Sequence, residues 1–285
     1  MKADQRWYII QYKFQEHNIV KTFELFRNHN IEPILIKGWA AALNYPVKEE
    51  RLFFDIDICV SPDDYEKARE MLEDIEEQKL VIDLHNGLRH LDTVDWEDLF
   101  ANSKQLKLEE TSIRVLRPED HLRVLCVHWL NDGGAYKDKL RDIFYAIENR
   151  PPDFDWERCL NVVDVERRKW IVCAIGLVQR YLGLELTDTP IAAEAEMIPK
   201  WMIETVEKEW ADENRLIRLH ECLTDRKEFF RQLKKRFPPN AIQATIETGG
   251  KFDDRSRIFY QVKNIFIRIK PSIQRLFRTI FKVRN

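Results

Sequence analysis

The sequence predicts an α+β fold: a small mixed sheet with flanking helices, followed by an α-helical region. Three observations carry this. Short apolar runs bounded by turn residues recur between residues 33 and 116, as strands require. From Pro118 onward, apolar residues recur instead at spacings of three and four, the period of a helix with one buried face. Only 8 Gly and 11 Pro in 285 residues leave few turns, which favours long helices over a large sheet.

In chain order, residues 4–29 read as an amphipathic helix, with Trp7, Ile10, Tyr12, Phe14, Ile19, Phe23 and Phe26 on an imperfect helical period. Pro33 to Ile36 is a short strand, Lys37-Gly38 a turn, and Trp39 to Asn44 a short helix. Leu52 to Val60 reads as a longer strand. Ser61-Pro62-Asp63-Asp64 then caps a helix running to about Glu77, and Lys79 to His85 is a third strand. A strand pair follows at Gln105–Leu108 and Ser112–Leu116. Helices are expected at 118–131, 136–148, 155–164, 166–182, 200–210 and 213–235, with a loop over Leu184 to Pro199. The division is therefore 1–117 for the α/β part with its N-terminal helix, 118–250 for the helical part, and 251–285 for a basic amphipathic C-terminal helix.

Composition narrows the classes. At 44% hydrophobic and 33% charged, the chain is folded rather than disordered, and no apolar run approaches the ~20 residues that cross a bilayer. The start carries nothing like a signal peptide, so the expected address is cytoplasmic. Five widely spaced cysteines without a C-x-x-C pair read as reduced core residues. P-loop, Rossmann and α/β-hydrolase signatures are absent.

The chemistry-bearing segment is Phe54-Asp55-Ile56-Asp57-Ile58-Cys59-Val60. On a strand, alternate side chains share a face, so Asp55 and Asp57 point one way while Phe54, Ile56, Ile58 and Val60 point into the core. Two carboxylates so close repel unless a cation sits between them, and oxygen ligands of this kind suit Mg²⁺ or Mn²⁺. The competing reading is that Asp-x-Asp merely marks the solvent face of an amphipathic strand. Upstream, Ile36-Lys37-Gly38-Trp39 ends a strand in a glycine turn at a helix start, where free backbone N–H groups can receive phosphate. Downstream, Asp83 lies between apolar strand residues, and a carboxylate from a neighbouring strand would complete a three-acid site. His85, two residues on, shares its face and is read as a metal ligand, a partner of one, a substrate contact or a residue meeting a local hydrogen bond.

The order Ile36-Lys37-Gly38, Ala40 to Pro46, Arg51, Asp55-Ile56-Asp57-Ile58-Cys59-Val60, Ile82-Asp83-Leu84-His85 resembles the uncharacterised nucleotidyltransferase family of the DNA polymerase beta superfamily. Leu116 to Leu122, His128 and Leu140-Arg141-Asp142-Ile143 extend the likeness over roughly residues 30–150. The resemblance implies a polymerase-beta-like domain that moves a nucleoside monophosphate from an NTP to an acceptor, with Mg²⁺ or Mn²⁺. It implies Asp55, Asp57 and Asp83 as metal ligands and catalytic carboxylates, Asp83 being the base. Lys37, Gly38 and Arg51 would bind the nucleotide phosphates. The wider superfamily has Gly-Gly or Gly-Ser at the turn, whereas this chain has Lys37-Gly38-Trp39, so a serine-type phosphate contact is missing. Two rivals follow: a non-catalytic nucleotide- or metal-binding scaffold or sensor of the same fold, and a toxin-like nucleotidyltransferase that modifies tRNA. The acceptor is not readable.

Other candidates are weaker. His121 and His128 lie two turns apart on one helix face, near Asp132 and Asp142, and are read first as structural. Arg123-x4-His128 loosely meets the Arg-x(4–6)-His signature of a helical ribonuclease family. Residues 251–285 carry ten Lys/Arg and two acids, a charge of +8 that leaves −11 for the rest of the chain. Three partners fit this basic amphipathic tail: the body of the protein, an anionic membrane surface reached peripherally, or RNA contacted through residues 255–285.

Overall fold

In a computed structural model, the described residues are 3–73, 80–87, 94–212, 217, 219–222, 225–253 and 255–268. Helix α1 (Ala3–Asn28) leads into strand β1 (Ile34–Leu35), the one-turn helix α2 (Trp39–Ala42), β2 (Ile56–Val60), α3 (Tyr65–Glu73) and β3 (Ile82–Asn86). Helix α4 (Trp96–Ala101) precedes the hairpin β4 (Lys104–Leu108) and β5 (Thr111–Val115). The rest is helical: α5 (Pro118–Asn131), α6 (Leu140–Glu148), α7 (Trp156–Asn161), α8 (Val165–Leu182), α9 (Ala192–Ala195), α10 (Lys200–Ala211), α11 (Arg226–Lys235), α12 (Ala241–Glu247) and α13 over 258–268. This is the α+β class that the sequence predicts.

The sheet runs β3-β2-β1-β5-β4 and is mixed: β2 is parallel to β3 and antiparallel to β1, β1 is parallel to β5, and β5 is antiparallel to β4. One sheet face packs on α1, where Tyr12, Ile19, Phe23 and Phe26 meet Ile56, Ile58, Val60, Ile113 and Val115. The other is covered as well. Cys59 and Ile34 there join Leu99 of α4 and Val124 of α5. A separate core forms among α5 to α12, around Trp129, Trp170 and Ile175. Its long helix α8 begins where Asp164 accepts from Arg167 N at 3.0 Å and stops at Gly183 in the left-handed region.

Three expectations are corrected. The strand at 52–60 is only Ile56–Val60. Extending the β1–β2 register, in which Ile34 faces Cys59, would set Asp55 opposite Gly38 and Phe54 opposite Trp39, where the chain has already turned into α2. Residues 52–55 therefore have no strand partner on that side. Phe54 is 59% exposed instead of buried, and Phe53 fills the core position, edge-on to Tyr12 at 5.8 Å. Second, the outer half of α1 does not pack inward: Trp7, Ile10 and Phe14 are exposed. Third, the expected helix 213–235 is helical within the described residues as a short 3-10 turn at Leu219–Cys222 and as α11. Helix α12 was not foreseen. Its signal is Pro238-Pro239-Asn240, with Asn240 capping Ile242 N at 2.9 Å and Gln243 N at 3.1 Å. All five cysteines are buried, as expected of core residues. Of the expected C-terminal helix, residues 269–285 lie outside the described residues.

Candidate functional site

The candidate site is built on β2 and β3. Their parallel register places Asp57 beside Asp83 and Cys59 beside His85. Side chains at Asp57 and Asp83 thus leave the sheet on the same face, and His85 follows on that face one pleat later. His85 Nε2 lies 3.3 Å from Asp57 Oδ1 and 3.2 Å from Asp83 Oδ2. Ligand atoms of all three residues fall within 4.8 Å of one another, close enough for one metal ion.

Burial differs sharply between the two acids. Asp57 is 4% exposed, whereas the Asp83 side chain is more than half exposed. The amphipathic-strand reading of Asp-x-Asp thus fails for Asp57, because all five residues of β2 are buried. An ionised carboxylate there needs compensation. Lys37, itself buried, supplies it with Nζ 2.6 Å from Asp57 Oδ1. Burial alone would raise the Asp57 carboxyl, but hydrogen bonding to His85 and the Lys37 charge outweigh it and hold the group at about 2. The Asp83 carboxyl is lowered chiefly by its hydrogen bond with His85. Burial pushes the His85 imidazole down, and its bonds to Asp57 and Asp83 overcome this and raise it.

The turn that delivers Lys37 needs glycine. Gly38 has φ 61° and ψ −109°, in the region that L side chains rarely adopt, and an added Cβ would stand 3.3 Å from the Phe53 ring. Arg51, on the segment before β2, makes a bidentate pair with Asp142 of α6, Nε–Oδ1 2.7 Å and Nη2–Oδ2 2.8 Å, and the Tyr45 hydroxyl donates to the same Oδ1 at 2.6 Å. Burial would lower the Arg51 guanidinium, and Asp142 raises it. Burial and the neighbouring Asp142 charge both raise the Tyr45 hydroxyl.

Lys37, Gly38, Arg51, Asp55, Asp57 and Asp83 all line one cleft of about 280 Å³ between the sheet and α5–α6. Asp55 is exposed at its mouth and is not part of the three-residue cluster, because it precedes β2 rather than lying on it. His85 has the better geometry. The far wall is helical. His128 Nδ1 is 3.4 Å from Lys37 Nζ, its Nε2 is 3.1 Å from Lys139 Nζ, and Lys139 pairs with Asp132 at 2.7 Å. Burial and then the Lys37 charge bring the His128 imidazole down to about 4, so it is neutral at pH 7. Lys139 was missed by sequence reasoning; its only signal was its place one residue before the Leu140-Arg141-Asp142 run. His121, by contrast, is core, with burial holding it at about 4. Arg123 is fully buried, donating to Asp120 at 2.7 Å and to the Arg158 carbonyl at 2.9 Å, away from the cleft. A larger cavity of about 790 Å³ lies among α10, α11 and α12, and its lining shares no residue with this cleft.

The five-stranded mixed sheet thus presents an Asp–Asp–His cluster that could hold a metal ion, beside a lysine–glycine turn. The sequence profile described as uncharacterised nucleotidyltransferase matches residues 1–183, and the chain belongs to that family. The match runs through α1 and on to the end of α8, beyond the 30–150 segment where the motifs cluster. No curated protein matches the sequence. A similar solved structure is that of an antigenic nucleotidyltransferase-like protein from Paracoccidioides brasiliensis, 13% identical, with a TM-score of 0.43, covering 64% of this chain and 92% of that one.

Proposed function

We propose that the protein is a metal-dependent nucleotidyltransferase that moves a nucleoside monophosphate from an NTP to an acceptor, releasing pyrophosphate. The observation that supports this best is the register pairing of Asp57 with Asp83, which sets two carboxylates and His85 within 4.8 Å of one another, both carboxylates lining a cleft that Lys37, Arg51 and Lys139 also line. The donor set fits a hard divalent cation: two carboxylates favour Mg²⁺ or Mn²⁺, and the imidazole is more at home with Mn²⁺ than with Mg²⁺. Asp57, Asp83 and His85 would hold it, with Asp55 at the mouth as a further carboxylate. A divalent ion there would neutralise triphosphate charge and lower the pKa of an attacking hydroxyl.

The chain's own groups divide the remaining work. Lys37 and Arg51 would exchange their present carboxylate partners for phosphate oxygens, and Gly38 would let the backbone approach them. Lys139 adds a cation on the opposite wall, poised by Asp132 and His128. Asp83, the more exposed acid, is the group able to take the acceptor's proton. The helical part from 118 to 250 would form the acceptor side.

One observation favours the non-catalytic reading: Lys37 already satisfies Asp57 at 2.6 Å, so the buried charge is stable without an ion. The experiment is nucleotide binding by calorimetry with Mg²⁺ or Mn²⁺, followed by release of pyrophosphate from the bound NTP, for wild type and Asp55→Asn/Asp57→Asn. Metal-dependent binding with pyrophosphate release, both lost in the variant, supports transfer. Binding without release across an acceptor screen supports a sensor or scaffold, and no binding at all sinks both.

A further inference from the structure

The basic tail contains an amphipathic helix that docks the opposite way round from a soluble protein's. In α13 (258–268), the residues turned to the body are polar. Arg257 just before it, then Gln261, Asn264 and Arg268, recur every three or four residues and form one stripe. Each is engaged with the body. Arg257 is buried, pairs with Asp253, donates to the Lys251 carbonyl at 2.9 Å, and lies over the Trp201 ring at 4.7 Å. Gln261 donates to the Pro239 carbonyl at 2.7 Å. Asn264, 0% exposed, donates to Glu247 at 2.7 Å, and Arg268 Nε donates to the same carboxylate at 2.8 Å.

The opposite face is apolar and points outward: Phe259, Val262 and Phe266 are exposed there, with Ile258 and Ile267 exposed on its two flanks. A soluble helix buries such a stripe, since leaving it in water forfeits its main source of stabilisation. The pattern continues in the sequence, with Ile269, Ile273, Leu276, Phe277 and Ile280 at the same spacings. Around it, residues 255–285 carry nine Lys/Arg and no acid.

We infer that the outward face of α13 is a docking surface for an anionic lipid bilayer, with Phe259, Val262 and Phe266 entering the acyl boundary and the basic charge of residues 255–285 drawing that face to acidic headgroups. Charge decides among the possible occupants. A second copy of the chain would bring two strongly positive tails together. An RNA contact needs cations on the outward face, whereas the face opposite the polar stripe presents Phe259, Val262 and Phe266, and Arg257 and Arg268 pair with Asp253 and Glu247. An apolar face on a segment that carries nine Lys/Arg and no acid is what an interfacial helix presents to acidic lipid.

The test is flotation of the full chain with vesicles of pure phosphatidylcholine or equimolar phosphatidylcholine and phosphatidylserine, beside Phe259→Ser/Phe266→Ser. Both side chains are exposed, so the variant should keep the wild-type melting temperature and circular dichroism. The expected result is binding to the anionic vesicles only, weakened by salt and reduced roughly tenfold or more in the variant. Any of three results overturns the inference: no flotation, equal flotation of wild type and variant, or a dimer in light scattering that the variant abolishes without vesicle binding by either protein. A companion titration with fluorescent single-stranded RNA should show no loss of affinity in the variant; a matching loss there would assign the face to RNA instead.

Discussion

Arg51 and Asp142, 91 residues apart in sequence, form a bidentate pair that ties the segment before β2 to helix α6 across the cleft. Neither is free in solution, so the pair fixes the guanidinium at the cleft wall as much as it stabilises the fold. Removing one partner of such a buried pair strands the other charge. Asp142→Ala should cost about 3 kcal/mol in denaturant unfolding, and Tyr45→Phe, which removes one hydrogen bond to the same oxygen, about 1 kcal/mol. Nucleotide affinity should fall in Asp142→Ala and hold in Tyr45→Phe. Unchanged stability in Asp142→Ala would mean the pair is dispensable.

Lys37 competes with any cation for Asp57. Its ammonium lies 2.6 Å from Asp57 Oδ1. Lys37→Met should therefore bind Mn²⁺ about tenfold more tightly in the absence of nucleotide, a difference of about 1.4 kcal/mol, while binding NTP more weakly because a phosphate partner is gone. Calorimetric titration of the metal alone, then of the metal–nucleotide, reads the two effects separately. Equal Mn²⁺ affinity in both proteins would remove Lys37 from the site.

His121 sets an acid limit on stability. Burial holds its imidazole at about 4, against 6.5 for the free group, and its Nε2 has no hydrogen-bond partner among the described residues. The folded pKa is depressed, so the unfolded chain binds a proton that the folded one refuses between pH 6.5 and 4. Stability is full above the unfolded value and falls as pH drops toward the folded one, by about 3 kcal/mol over that range. His121→Phe should flatten this part of the curve, measured by urea denaturation at successive pH values. A variant slope equal to wild type would place the acid sensitivity elsewhere.

The helical core leaves no room for a methyl group where α8 meets α9. A Cβ at Gly176 in α8 would stand 2.0 Å from the Ala195 carbonyl oxygen of α9, a backbone atom that cannot rotate away. Gly176→Ala gains helix propensity of about 1 kcal/mol and loses more to the clash, so net destabilisation of about 2 kcal/mol is expected. A stabilised variant in thermal unfolding would show that α9 shifts freely.

The class of fold, most of its strands and long helices, and the carboxylates of the candidate cluster were legible in the sequence, because these depend on local periodicity and on residue types at fixed spacing, whereas the short helices α4, α9 and α12 were not. Ile56, Ile58 and Val60 announced a strand, Pro118 a helix start, and Asp55-Ile56-Asp57 with Asp83 a set of carboxylates. Only tertiary structure decided which acids converge. Register is a property of two strands, and the pairing of β2 with β3 chose Asp57, Asp83 and His85, leaving Asp55 at the mouth. The truncation of β2 followed from a partner strand only two residues long. The orientation of α13 was likewise invisible: its hydrophobic period predicts a buried apolar face, and the reversal arises because Glu247, Asp253 and the Pro239 carbonyl, on neighbouring elements, hold the polar stripe instead. A helical period tells which residues share a face, and the surface that face meets is set by the rest of the chain.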